Sequence, residues 1–335
     1  MTLYLAVDGG NSKTDALIGD TSGAILGLAR GPGTCYQNIG LPETMARLRS
    51  LVAQVGLARG VTRVDRAEFF LAGADLPAEV DLLTEAIAAE GWASDLLVSN
   101  DTFALLRAGT DSADAVAVVC GAGINCVGRT GDGRVARFPS LGALSGDWGG
   151  GGHLSWLALR HAIRGEDGRG QPTALSAAVA DHFGLPTAEA AGLSVHFGEM
   201  EASRLHELTP VMFAVAESGD PVAGRLVARL AEEVVTLATV AARRLDLLDA
   251  PFAVVLGGGV LRPRYPLLDN GIAAGLQAAA PKATIAVVTA PPVLGAALSA
   301  LDALGAPPAA QAALRRDLAV WPPSATGPES APVAG

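Results

Sequence analysis

The run Asp8-Gly9-Gly10-Asn11-Ser12-Lys13-Thr14 sets a carboxylate, two glycines, small polar side chains and a lysine at the end of an apolar stretch, Leu3 to Val7. It is not a P-loop. That loop needs Gly-x-x-x-x-Gly-Lys-Ser/Thr, whereas here Lys13 follows Ser12 and Val7 holds the first-glycine place. Its residue types still suit a phosphate. Gly9 and Gly10 admit a tight turn and close approach of an oxyanion to the backbone, and Asn11, Ser12 and Thr14 add donors. Asp8 could hold a hydrated Mg²⁺ opposite the phosphates. An ordinary hairpin turn explains the same residues equally well.

A second loop, Gly121-Ala122-Gly123, follows the apolar run Ala115 to Val119, but Cys126 stands where a dinucleotide fingerprint has its third glycine. Placed at matching positions of two similar segments, the two loops read as a two-jawed phosphate clamp. Gly257-Gly258-Gly259 joins a buried strand to a helix, and a turn without side chains lets a flat base or ribose lie on the backbone. A tight strand-to-helix connection has the same composition. Asn100-Asp101 ends the strand "LLVSND" and opens a helix. An aspartate there is commonly a helix cap, yet at the C-terminal edge of a sheet it could take the proton of a substrate hydroxyl. Asp147 precedes the run Gly149 to Gly152 and could accept a sugar hydroxyl, contact a metal or make a turn. Four successive glycines suggest a backbone that meets a ligand or flexes on closure. His153 and His161 are eight residues apart, not the four of a zinc helix, and all five histidines read as structural or solvated.

The elements that would carry these residues alternate between strand and helix, the pattern of an α/β protein. The first half reads strand 3–8, strand 14–19, strand 24–30, helix 43–57, strand 67–72, helix 78–90, strand 95–99 and a short helix from Thr102. That order is βββαβαβα. From Ala115 the plan repeats through a glycine loop and a turn at Gly131 to Gly133, then is interrupted by a helical insertion at about 150–247. Strand 252–256, helix 265–279, strand 283–288 and helix 293–304 complete it. The duplication predicts two facing lobes, 1–113 and 114–292, with an interlobe cleft at the glycine turns. Residues 306–335 are rich in Ala, Pro and Ser and are expected to fray.

Composition narrows the function. Half of the 335 residues are hydrophobic, yet no apolar run approaches the length of a membrane span. The first strand begins within two residues of Met1, leaving no room for a signal peptide, and Cys35, Cys120 and Cys126 form no disulfide framework or thiolate metal site. Both point to a reducing cytoplasm. A formal charge of −10 disfavours nucleic acid as a partner. Any bound polyanion must be held locally, by backbone N–H groups, one or two cations and a metal.

In that order, "DGGNSKT", "SND", "GAGINC", "SGDWGGG" and "LGGGV" resemble the BadF/BadG/BcrA/BcrD-type ATPases, a family that also contains N-acetylglucosamine kinase and belongs to the actin, sugar-kinase and Hsp70 superfamily. The resemblance runs over about residues 3–305. It implies two ribonuclease-H-like lobes closing over Mg·ATP, with helix 293–304 packed back on the first. It further implies nucleotide contacts at Gly9, Gly10, Asn11, Ser12, Lys13, Thr14, Gly121, Ala122, Gly123 and Gly257 to Gly259, with Asp8 on the metal. Asp101 becomes the general base, and Asn38, Asn100, Gly142 and Asp147 join it as acceptor contacts. There are three departures: Cys35 stands where many relatives have a sugar-contacting Asn, with Asn38 three residues on, Ala122 replaces a Ser or Thr, and "GDWGGGG" replaces "GDEGS". The first and third bear on the sugar more than on the ATP site.

The leading expectation is an ATP-dependent kinase of N-acetylglucosamine or a related amino sugar, cytoplasmic and homodimeric, with no nucleic-acid or membrane partner. An ATPase that activates a partner reductase or dehydratase through a cysteine-bridged iron–sulfur cluster is the alternative. A nucleotide-gated binding protein without transfer activity is a third.

Overall fold

The computed structural model describes residues 1–57 and 60–320. The chain forms two compact units, one of Met1–Asp111 with the segment from Val288 onward, the other of Ser112–Val287.

The first unit runs β1 (Leu3–Gly9), β2 (Lys13–Asp20), β3 (Ile25–Pro32), α1 (Tyr36–Ile39), α2 (Leu41–Leu57), β4 (Val64–Leu71), α3 (Pro77–Ala88), β5 (Ala93–Asn100) and α4 (Asp101–Gly109). Its sheet has the order β3-β2-β1-β4-β5, antiparallel among the first three strands and parallel from β1 to β5. Because successive side chains point to opposite faces, β1 feeds two cores. Leu5 and Val7 pack with Leu48, Leu51 and Val55 of α2, while Tyr4 and Ala6 pack with Leu17, Phe70 and the last two helices, α11 (Val293–Ala303) and α12 (Pro308–Ala319). Burial on both faces explains why β1 reads as an unbroken apolar run.

The second unit runs β6 (Ala115–Cys120), β7 (Ile124–Arg129), β8 (Val135–Arg137), α5 (Gly151–Glu166), α6 (Leu175–Phe183), α7 (Ala188–His196), α8 (Leu208–Glu217), α9 (Pro221–Arg244), β9 (Phe252–Gly257), α10 (Pro266–Ala279) and β10 (Ala283–Val287). Its sheet order, β10-β9-β6-β7-β8, is that of the first unit written backwards. Helix α9 covers β6, β7 and β8 as α2 covers β2 and β3. The helical insertion is therefore α5 to α8, and α9, which the sequence placed inside it, belongs to the repeated plan.

Two further corrections concern the C-terminal segment and the loops. Residues 308–319, expected to fray, form a helix. Pro308 starts it, and Ala310, Leu314 and Leu318 recur at four-residue spacing and are buried against the first unit. The rest of that expectation, residues 321–335, lies outside the described residues. The short helix α1 and a 3₁₀ turn at Gly142–Ser145 were not legible, since neither is long enough to show a period.

Helix α11 lies against β1 and α4. A Cβ on Gly295 would overlap the Ala104 carbonyl, so the absent side chain sets how closely α11 and α4 approach. Arg107 of α4 fastens the same contact. Its guanidinium is almost fully buried and donates to both Asp302 oxygens at 2.6 and 3.1 Å, to Asp111 at 2.6 Å and to Gln311 at 2.9 Å. No described helix is long and apolar enough to cross a membrane.

Candidate active site

In the first unit, the register pairs Asp8 with Asp15 and Asp15 with Arg30 across neighbouring strands. The three side chains share the face that carries Tyr4, Ala6 and Leu17. Two carboxylates side by side repel, and Arg30 offsets one of them. It donates to Asp15 through Nε at 2.6 Å and Nη2 at 2.8 Å, a forked pair. No hydrogen bond from the described residues reaches the Asp8 carboxylate. Burial pushes its pKa well above the usual carboxylate range, and the charges of Asp101 and Asp15 push the same way against Lys13 and Arg30. A buried carboxylate without a hydrogen-bond donor, beside a second acid, fits a divalent cation.

Asp101 is the first residue of α4. The cap is Asn100, whose Oδ1 accepts the Thr102 N–H at 3.0 Å and whose Nδ2 donates to Asp75 at 2.8 Å. The helix-cap reading of Asp101 thus falls to its neighbour, and its own carboxylate stays available. Burial pushes that carboxyl up to about 6, against the backbone N–H groups of Thr102 and Asp101 that favour the ionised form. It is near enough to Asp8 for its charge to act there.

The glycine turn between β1 and β2 is braced from beneath. Gly10 N–H donates to the Lys13 carbonyl at 2.9 Å and the Thr34 N–H to the Gly10 carbonyl at 3.1 Å. A Cβ on Gly9 would sit 2.6 Å from Leu71 Cδ2, so any side chain there would have to displace the ends of Leu71 and Thr34. Asn11 and Ser12 are exposed at the tip. Thr14 is fully buried, its hydroxyl 2.9 Å from that of Thr34, so it supports the turn. Asn38 donates to Asn11 Oδ1 at 2.8 Å, while Cys35 is buried.

In the second unit, three glycine segments converge on one backbone. Gly151 and Gly152 donate to the carbonyls of Gly121 and Ala122 at 2.7 and 3.1 Å. Val260 N–H donates to the Cys120 carbonyl at 2.9 Å. Gly150 and Gly258 have φ of 82° and 92°, and a Cβ on either would strike this strand end. The run Gly149–Gly152 packs on the Gly121–Gly123 turn through the Gly151 and Gly152 hydrogen bonds. Gly142 and Asp147 close on each other: Asp147 Oδ2 accepts the Gly142 N–H at 2.9 Å and the Ser145 hydroxyl at 2.8 Å.

Asp15, Arg30 and Thr34 escaped the sequence reading. The signal was an acid inside the buried run "TDALIG" with an arginine in the next strand, but it becomes a pair only once the register is known.

The sequence model of the BadF/BadG/BcrA/BcrD ATPase family matches residues 5–300. The chain belongs to that family. Two curated relatives bear on it. One is an N-acetyl-D-glucosamine kinase of Dictyostelium discoideum, 25% identical over 90% of this chain and 98% of that one. The other is an N-acetylmuramic acid/N-acetylglucosamine kinase of Clostridium acetobutylicum, 24% identical over 81% and 89%. Among solved structures, a candidate N-acetylglucosamine kinase of Chromobacterium violaceum shares the fold at a TM-score of 0.67, with 21% identity over 89% of this chain and 98% of that one. A ROK family glucokinase of Streptomyces griseus, solved with glucose and AMPPNP, shares it at 0.56, with 17% identity over 90% and 99%. Two five-stranded mixed sheets with one strand order are thus the sugar-kinase fold.

Proposed function

We propose that this family member is an ATP-dependent sugar kinase whose acceptor is N-acetylglucosamine or a related amino sugar. The observation that carries the reading is the gathering, within one unit, of an exposed glycine turn, the unpartnered Asp8 and the uncapped carboxylate of Asp101. The names of the curated relatives supply the acceptor class.

In this reading the turn Gly9–Lys13 takes phosphate oxygens on backbone N–H groups and on Asn11 and Ser12, with Lys13 adding charge. In the second unit, the proposed nucleotide contacts are the glycine turns at Gly121–Gly123 and Gly257–Gly259. Asp8 would hold Mg²⁺, with Asp15 and Arg30 behind it, and the ion would neutralise phosphate charge. Asp101 orients the acceptor hydroxyl and receives its proton. As the acceptor oxygen bonds to the γ-phosphorus, the bond from that phosphorus to the β–γ bridging oxygen breaks and ADP leaves. Asn38, Asn100, Gly142 and Asp147 are the proposed sugar contacts.

A reductase-activating role finds less support. Cys35, Cys120 and Cys126 are all buried, and burial pushes the Cys120 thiol up to about 12, so it stays protonated.

A panel of amino sugars assayed for sugar-stimulated ADP release tests the proposal. Asp101→Asn is expected to keep nucleotide affinity and lose roughly 10²–10⁴-fold in turnover. Full turnover in that variant removes Asp101 from the role.

A further inference from the structure

Glu79, in the first turn of α3, belongs to none of the motifs above, yet its carboxylate gathers four donors. Oε1 accepts from the Tyr36 hydroxyl at 2.8 Å and from Gln37 Nε2 at 2.7 Å. Oε2 accepts the backbone N–H groups of Asp75 and Leu76 at 3.0 and 2.9 Å. A helix cap needs only the last of these. Burial alone would raise this carboxyl, but the hydrogen bonds from Gln37, Leu76, Tyr36 and Asp75 hold it below its ordinary value and keep it charged.

The partners on either side lead to the two ends of the site. Asn38, the residue after Gln37, donates to Asn11 at the phosphate turn. Asp75 accepts Asn100 Nδ2, and Asn100 caps the helix that begins at Asp101. One carboxylate thus stands midway along a chain of contacts from the glycine turn to the candidate base. The neighbouring residues 33 and 34 have separate anchors, in Arg47 on the Gly33 carbonyl and Thr34 on Thr14 and Gly10. The side chains of Tyr36 and Gln37 hydrogen-bond to Glu79.

We propose that Glu79 is a positioning residue for the sugar acceptor, fixing the Cys35–Asn38 loop relative to Asp101 by tying Tyr36 and Gln37 to the segment that holds Asn100. It touches no reacting atom. The inference rests on the kinase reading of Asp101 and adds to it which side chain sets acceptor affinity.

The double variant Tyr36→Phe, Gln37→Met tests this in the intact chain, because it removes the loop's two donors and leaves Glu79 on the N–H groups of Asp75 and Leu76. KM for the amino sugar is expected to rise about tenfold or more, since small displacements of substrate-holding groups are costly. KM for ATP and the melting temperature stay unchanged. Glu79→Gln should lie near wild type, because the Tyr36 hydroxyl can accept and the Gln37 amide can turn round. Glu79→Ala should reproduce the double variant and also melt earlier. An unchanged sugar KM in the double variant, or an equal rise in both KM values, overturns the positioning role. If the wild type phosphorylates no amino sugar, the kinase reading fails instead.

Discussion

With its carboxyl pushed up to about 6, Asp101 is mostly ionised at pH 7 while remaining basic enough to accept a proton. The kcat/KM of the proposed kinase is therefore expected to level off above pH 6 and to fall about tenfold per unit below it, measured at subsaturating sugar. Asp8 gives the opposite kind of prediction. Its raised pKa means that the folded chain holds a proton which the unfolded chain has already lost. The stability from that proton is full below the unfolded pKa and declines as pH rises through the folded one. Asp8→Asn should thus raise the nucleotide-free stability at pH 8 by about 0.5–2 kcal/mol while lowering turnover. Denaturant melts at pH 5 and pH 8 check it, and a larger gain at pH 5 would contradict it. At this scale local spacing singles out Asp8 and Asp101 as candidates. It hid Asp15 and Arg30, fifteen residues apart and joined by a register that no local pattern announces.

Helix α4 carries Asp101 at one end and Arg107 near the other, and its seat is the contact with α11 at Gly295. Gly295→Ala must force the two helices apart, because the new methyl meets backbone rather than a yielding side chain. A loss of about 1–3 kcal/mol is expected, with kcat falling more than KM for ATP. Thermal melts and steady-state kinetics of that one variant check both. The βββαβαβα reading matches the sequence of strands and longer helices in the first unit, while the order of the strands within each sheet is seen only in the structure. The place of α9 did not follow. Its amphipathic period is that of any surface helix, and only its packing on β6 and β7 shows which helix of the plan it is.

Over the whole molecule, the first unit is built from both ends of the chain. Arg107 joins them through Asp302 and Gln311, contacts that reach about two hundred residues along the sequence. Arg107→Met leaves Asp111 with Arg315 and Asp302 with Gln311 Nε2, and the two carboxylates are 73% and 43% exposed, so water makes up the rest of what the arginine supplied. The expected cost is about 1–2 kcal/mol, below the 3–5 of a fully buried broken pair. A chemical-denaturation curve decides between the two figures. This closure was legible only as far as helix 293–304, since the Ala/Pro-rich composition beyond it masked the period of α12.

A ribosome makes the two halves of the first sheet's cover at opposite times. Tyr4, Ala6, Leu17 and Phe70 are synthesised early, and the helices that shield them emerge only after the whole second unit has been translated. During that interval the nascent sheet shows one greasy face to the cell, and the second unit can finish folding before the first. The first unit's second core can therefore close only once the segment from Val288 onward has been made.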